Sequence, residues 1–140
     1  MNKIHPIFIT VLNEKFANRF TVELDENNNS FISFPAKSPE FGDVDIYEES
    51  SEIDIGYIVY VGKFTHCHFD YYTGSKEEKA KEAAEDIIEF LENIFADHTI
   101  CYGSQKGGGG CYEKGYSEEN EYIDYFVWSG IYKRANKKEI

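Results

Sequence analysis

The sequence predicts an α+β fold, a mostly antiparallel sheet of about six to eight strands packed against one long amphipathic helix over about residues 76–95. Three observations predict it. Ser75 and Glu78 have the spacing of a capping box, in which the serine oxygen accepts from a free amide of the first turn and the glutamate reaches back to the Ser75 amide. Ala80, Ala84, Ile87, Ile88, Leu91, Ile94 and Phe95 then recur at helical intervals, which puts them on one stripe facing the sheet. On both sides of this helix lie short runs rich in Ile, Val, Phe, Tyr and Thr, broken by Asn, Gly and Pro.

Residues 7–12, 20–24 and 30–34 read as the first three strands, with the stretch 13–19 fitting either a loop or a helical turn. The turn at 25–29, Asp-Glu-Asn-Asn-Asn, is the clearest hairpin signal, because Asn tolerates left-handed backbone angles and Asp and Asn cap turns with their own side chains. After a Pro- and Gly-marked loop, the segment 44–50 alternates apolar and polar residues, so Val44, Ile46 and Glu48 share one face. Residues 53–61 form the next strand, and Gly62 marks a bulge or bend before the run Phe-Thr-His-Cys-His-Phe-Asp. Beyond the helix, residues 99–102 return to strand. The stretch 103–120 reads as a long loop because of its polarity and its run Gly107 to Gly110, and 122–130 as a final strand.

With 140 residues and no internal repeat, residues 1–134 form a single domain, followed by a frayed basic tail over 135–140. Folding at this length buries roughly two-thirds of the unfolded surface, so no covalent staple is required. Three cysteines without C-x-x-C spacing fit reduced thiols better than a disulfide framework or a zinc site, although Cys101 and Cys111 are able to pair across the loop between them. The first residues lack a cleavable leader pattern, and no run of about 18 apolar residues occurs. A cytoplasmic protein without membrane contact is expected. The net charge of −12 argues against nucleic acid, whose phosphates require clustered Lys and Arg, and favours a basic partner.

Two patterns carry candidate sites. Glu40, Asp43, Asp45, Glu48, Glu49, Glu52 and Asp54 form an acidic run without Lys or Arg, an imbalance that solubility alone does not need. Asp43, Asp45, Glu48 and Glu49 are the expected contacts, with Tyr112 and Tyr116 as aromatic anchors, since Tyr is favoured at interfaces. Alternatively, His66, His68 and Asp70 fall on one face of a strand and offer two imidazoles and a carboxylate to a metal ion or small ligand. Cys67 points to the opposite face as a small buried residue. The glycine run lacks the following helix that a phosphate cradle needs, Ser129 lacks nucleophile-elbow surroundings, and Trp128 reads as a packing anchor.

No cofactor is called for, and an enzyme is the less favoured class. In size, acidity, cytosolic signals and the lack of an assembled active site, the chain resembles in general character the bacterial immunity proteins that neutralise basic nuclease-type toxins. That resemblance implies electrostatic capture of a basic toxin followed by occlusion. Association of copies of this chain through an exposed sheet edge is a further expectation.

Overall fold

A computed structural model of the chain describes residues 3–103, 109–116 and 119–136. In chain order the elements are α1 (Pro6–Phe16), β1 (Thr21–Leu24), β2 (Ser30–Phe34), β3 (Val44–Ser50), β4 (Ile55–Val61), β5 (Thr65–Phe69), α2 (Lys76–Phe95), β6 (Thr99–Gly103), β7 (Gly109–Glu113), β8 (Tyr125–Val127) and β9 (Gly130–Lys133). They form a five-stranded antiparallel sheet in sequential order and a four-stranded antiparallel sheet in the order β7-β6-β8-β9. The expected α+β class and the long helix are both present, the strands being divided between two sheets. Among the described residues no helix is long and apolar enough to cross a membrane.

The first element corrects an expectation. Residues 7–12, read as a strand from their β-branched side chains, belong to helix α1. Pro6 occupies the first turn, where its missing N–H costs nothing, and the His5 Nδ1 accepts from the Ile7 amide at 3.2 Å. Phe8, Leu12 and Phe16, spaced by four, bury completely or nearly so. Phe8 stacks on Tyr57 of β4 with ring centroids 4.0 Å apart, and Phe16 meets Phe34 of β2 and Phe95 of α2 edge-on.

Helix α2 begins at the predicted capping box, both halves of which are formed. Ala80, Ala83, Ala84, Ile87, Leu91 and Ile94 are fully buried, while Glu82, Glu85, Glu89 and Glu92 face solvent. The two helices pack on each other and cover one face of the five-stranded sheet, and α2 also reaches β6. One large core lies between the helices and both sheets; Trp128 belongs to it, packed on Phe41 and Phe95. A smaller cluster of Ile100, Tyr125 and Val127 occupies the other side of the four-stranded sheet.

Two glycines fix turns and contacts that the sequence pattern leaves open. Gly62 does not bend one long strand but reverses the chain between β4 and β5, with φ of +54°. A Cβ there would lie 2.1 Å from the Phe41 carbonyl oxygen. Gly109, in a stretch read as loop, pairs with Gly103 as part of β7, and glycine is needed there because a Cβ would lie 2.4 Å from the Tyr102 carbonyl oxygen and 2.7 Å from that of Phe64. The rest of the expected loop falls partly outside the described residues, as do 137–140 of the tail. At the start of that tail the Ala135 and Asn136 amides donate to Asp124 Oδ1 at 2.7 Å and the Glu121 carbonyl at 2.6 Å. The final strand also divides: β8 turns at Trp128 and Ser129 into β9, and the Ser129 amide donates to Asp97 Oδ1 at 3.0 Å.

Cys101 and Cys111 sit directly opposite each other on β6 and β7 and form a disulfide, where reduced thiols were the favoured expectation. Antiparallel pairing brings their Cα atoms to 4.1 Å, so the strand register itself places the two sulfurs together. The cysteine count therefore gives no argument for a reducing compartment. Cys67 is free and half-buried, and burial pushes its thiol up. Peptide mapping without reductant is expected to recover Cys101 linked to Cys111 with Cys67 open to alkylation; Cys67 found in a disulfide contradicts this pairing. Gly62→Ala is expected to destabilise the fold by about 2 kcal/mol or more, read as a lowered urea midpoint at constant slope.

Candidate functional site on the open sheet face

Alternation along each strand divides the five-stranded sheet. Ile32 and Phe34, Val44 and Ile46, and Tyr57, Val59 and Val61 point toward the helices and are buried. The register then places Glu23, Phe31, Tyr47, Ile58 and His68 in one row across the other face, and Thr21, Ser33, Asp45, Tyr60 and His66 in the next. Among the described residues no helix or strand packs on this second face. Tyr60 is 41% exposed there.

Five rings touch in sequence across four strands. Phe31 stacks on Tyr47 with centroids 5.0 Å apart, Tyr47 meets Tyr60 edge-on at 5.7 Å, Tyr60 lies 5.6 Å from His66, and His66 meets His68 edge-on at 5.1 Å. Offset and edge-on contacts of this kind favour fixed mutual orientations; Phe31 and Tyr47 are half-buried in the row, and His66 and His68 are exposed. Ile58 is buried between its cross-strand neighbours Tyr47 and His68. The result is a fixed aromatic surface, without Lys or Arg at any outward strand position.

Carboxylates flank the rings. Asp45 sits opposite Tyr60 and two residues from Tyr47, and its Oδ1 accepts from the Ser33 hydroxyl at 2.6 Å. Burial raises the Asp45 carboxyl above its ordinary range despite the Ser33 hydrogen bond, and the nearby Asp43 and Glu23 raise it further. Glu23 and Glu49 are exposed, Glu23 accepting from the Thr21 hydroxyl at 2.9 Å. The Tyr47 phenol is likewise raised, first by burial and then by Asp25 and Asp45. Each of these shifts has the sign that neighbouring negative charge and partial burial produce.

No family model matches the chain, and no curated protein or solved structure matches it.

The residues singled out in the sequence fall in several places. Asp45 and Glu49 lie on the open face, and Asp43 lies just before β3, its Oδ1 accepting from the Ala36 amide at 2.7 Å. Glu48 does not join them. It points toward the helices, is 5% exposed, and accepts at 2.7 Å from both the Tyr57 hydroxyl and the His5 amide. The alternation that puts it beside Val44 and Ile46 removes it from the contact set and makes it a tie between the N-terminus of α1 and the sheet. Its charge raises the Tyr57 phenol further, burial being the larger cause.

Tyr112 and Tyr116 belong to the other sheet and the turn after it. Tyr112 packs in the small cluster against Tyr102 and Tyr125, and burial pushes its phenol up to about 12. Tyr116 is 81% exposed, and with Glu113 the two tyrosines line a shallow hollow. His66 and His68 are side by side on the open face, as strand spacing requires. Asp70 follows the strand end and packs beside Gly56, where a Cβ would lie 3.1 Å from the Asp70 Cβ. Strand rise separates His66 from Asp70 by roughly 13 Å along the chain, too far for one ion to bridge. Among the described residues no three of His, Cys, Asp and Glu are grouped to hold a metal.

Sequence reading missed Phe31, Tyr47 and Tyr60. Their outward parity was visible within each strand, but the row exists only once the register is known. Two substitutions separate the scaffold from the open face. Tyr57→Phe removes a donor from the buried Glu48 and is expected to cost about 1–3 kcal/mol. Asp45→Asn keeps an acceptor for Ser33 and removes a carboxylate whose charged form the fold disfavours. With the folded pKa raised, Asp45 weakens the native state as pH rises from the ordinary Asp range through the raised value. Asp45→Asn is therefore expected to match or exceed wild-type stability at neutral pH and to converge with it in acid, as read by urea midpoints at several pH values.

Proposed function

We propose that the protein is a binding module that captures a basic partner protein on the open face of its five-stranded sheet. The observation that carries this reading is the composition of that face: a fixed row of aromatic rings flanked by Glu23, Asp45 and Glu49, with no Lys or Arg at the outward strand positions. Interface cores are enriched in aromatic residues, and a same-sign rim steers a partner of opposite charge. The net charge of −12 extends that steering field beyond the contact itself.

In its concrete form the module is a bacterial immunity protein. A basic toxin of the nuclease type meets the acidic field, docks on the rings, and has its own cationic substrate-binding surface covered. Asp43, Asp45 and Glu49 serve as the charged contacts. Glu48 holds the sheet against α1 and does not touch the partner. Tyr112 and Tyr116 offer a separate aromatic patch on the four-stranded sheet.

The reading is tested with the doubly substituted Glu23→Lys, Glu49→Lys protein, both positions being exposed on the face. Immobilised wild-type protein is expected to retain a basic protein from the native cell. Measured with the purified partner, the association rate should fall about tenfold or more on raising salt from about 50 to about 300 mM. The double variant, folded by the same urea midpoint, is expected to lose most of that binding. Retention of the same proteins with the same association rate by both forms would remove this face from the function.

A further inference from the structure

The open face carries more information than its charge. Tyr47 and Tyr60 stand edge-on to each other at 5.7 Å, so their planes are nearly perpendicular and line two sides of a corner. Asp45 lies at that corner, across from Tyr60 in the ladder and two residues along β3 from Tyr47. Ser33 occupies one of its oxygens, and among the described residues the other has no hydrogen-bond partner. Glu23 and Glu49 stand at the ends of the same face.

Such a corner discriminates between cations. A lysine ammonium is a compact, strongly hydrated charge that gains from a carboxylate but has no plane to lay on a ring. A guanidinium is flat, weakly hydrated and able to stack on a tyrosine while its edge donates to a carboxylate. A ring pair set at right angles beside a half-buried, half-satisfied carboxylate offers both contacts at once.

We propose that the occupant of this face is an arginine-bearing segment of the basic partner, with a guanidinium laid against the exposed Tyr60, which Tyr47 buttresses edge-on, and hydrogen-bonded to Asp45. This rests on the reading of the face as a capture surface and deepens it by naming the recognised side chain. Phe31, His66 and His68 continue the row on either side, which allows a segment several residues long to lie across the strands. The arginine preference belongs to the rings, while the overall attraction belongs to the carboxylates.

Two peptides of equal charge separate these contributions: an acetylated, amidated octapeptide alternating Arg and Gly, and its Lys counterpart, each followed by fluorescence anisotropy at low salt. Wild-type protein is expected to bind the Arg peptide about fivefold more tightly than the Lys peptide. Tyr47→Leu, Tyr60→Leu protein is expected to bind both equally, still in a salt-dependent manner. Tyr47→Phe, Tyr60→Phe protein keeps the rings and is expected to keep the preference, which guards against misreading a folding defect in the leucine variant. Glu23→Lys, Glu49→Lys protein is expected to lose affinity for both peptides.

Equal binding of the two peptides by wild-type protein overturns the arginine assignment and leaves the capture reading standing if the charge variant still abolishes binding. A preference that survives the leucine substitutions also overturns it. Failure of wild-type protein to bind either peptide sinks both readings. Sedimentation that shows a dimer dispersed by Glu23→Lys, Glu49→Lys gives the face to a second copy of this chain and overturns the assignment as well.

Discussion

Two helices cover one face of the five-stranded sheet, and among the described residues no helix or strand packs on the other; most of the molecule follows from that asymmetry. Strands buried on one side must alternate, because a slip of one residue would turn every apolar side chain into solvent. Val44, Ile46, Tyr57, Val59 and Val61 therefore fix the register as firmly as the ladder hydrogen bonds do. Once the register is fixed, the residues between them have no freedom either. Tyr47, Tyr60 and His66 meet across the strands because the buried set on the opposite side has already decided where each strand sits.

The same constraint explains which parts of the molecule were legible in the sequence. Helix α2 was readable because its cap, its apolar stripe and its charged face agree with one another, and agreement across levels is what a single strong local minimum looks like. Helix α1 was not, because Ile7, Ile9, Thr10 and Val11 favour a strand by propensity while Phe8, Leu12 and Phe16 favour a helix by spacing. Packing decided the contest: a helix buries Phe8, Leu12 and Phe16 along one stripe, from which Phe8 reaches Tyr57 and Phe16 reaches Phe34 and Phe95. Pro6 at the first turn agrees with that outcome.

Legibility of the candidate site follows the distance over which its parts communicate. The acidic run was visible because its members are neighbours in sequence, and the inward side of Glu48 was visible in the same alternation that predicts the strand. Grouping Glu48 with Asp45 and Glu49 as contacts weighed charge over parity, and parity prevailed. The ring row was not visible, since Phe31, Tyr47, Tyr60 and His66 come from four strands whose pairing no local signal specifies. The disulfide belongs to the same class: Cys101 and Cys111 face each other because Gly109 and Gly110 extend β7 into a stretch whose glycines read as loop.

The open face also sits uneasily with stability taken alone. Burial first, and then the nearby Asp43 and Glu23, raise the Asp45 carboxyl, so its charge costs the fold something that Asn, Thr or a lysine across the ladder would relieve. Exposed rings likewise gain little while they remain in water, whereas the buried Glu48 receives hydrogen bonds from Tyr57 and His5. Glu48 is thus tied into the scaffold, while Asp45 on the open face has a hydrogen bond from Ser33 alone among the described residues. A cation arriving at that surface would lower the Asp45 carboxyl back toward its ordinary range and cover the rings in the same step. Under the proposed capture, both terms would then appear as binding energy, a contribution that net charge alone does not supply.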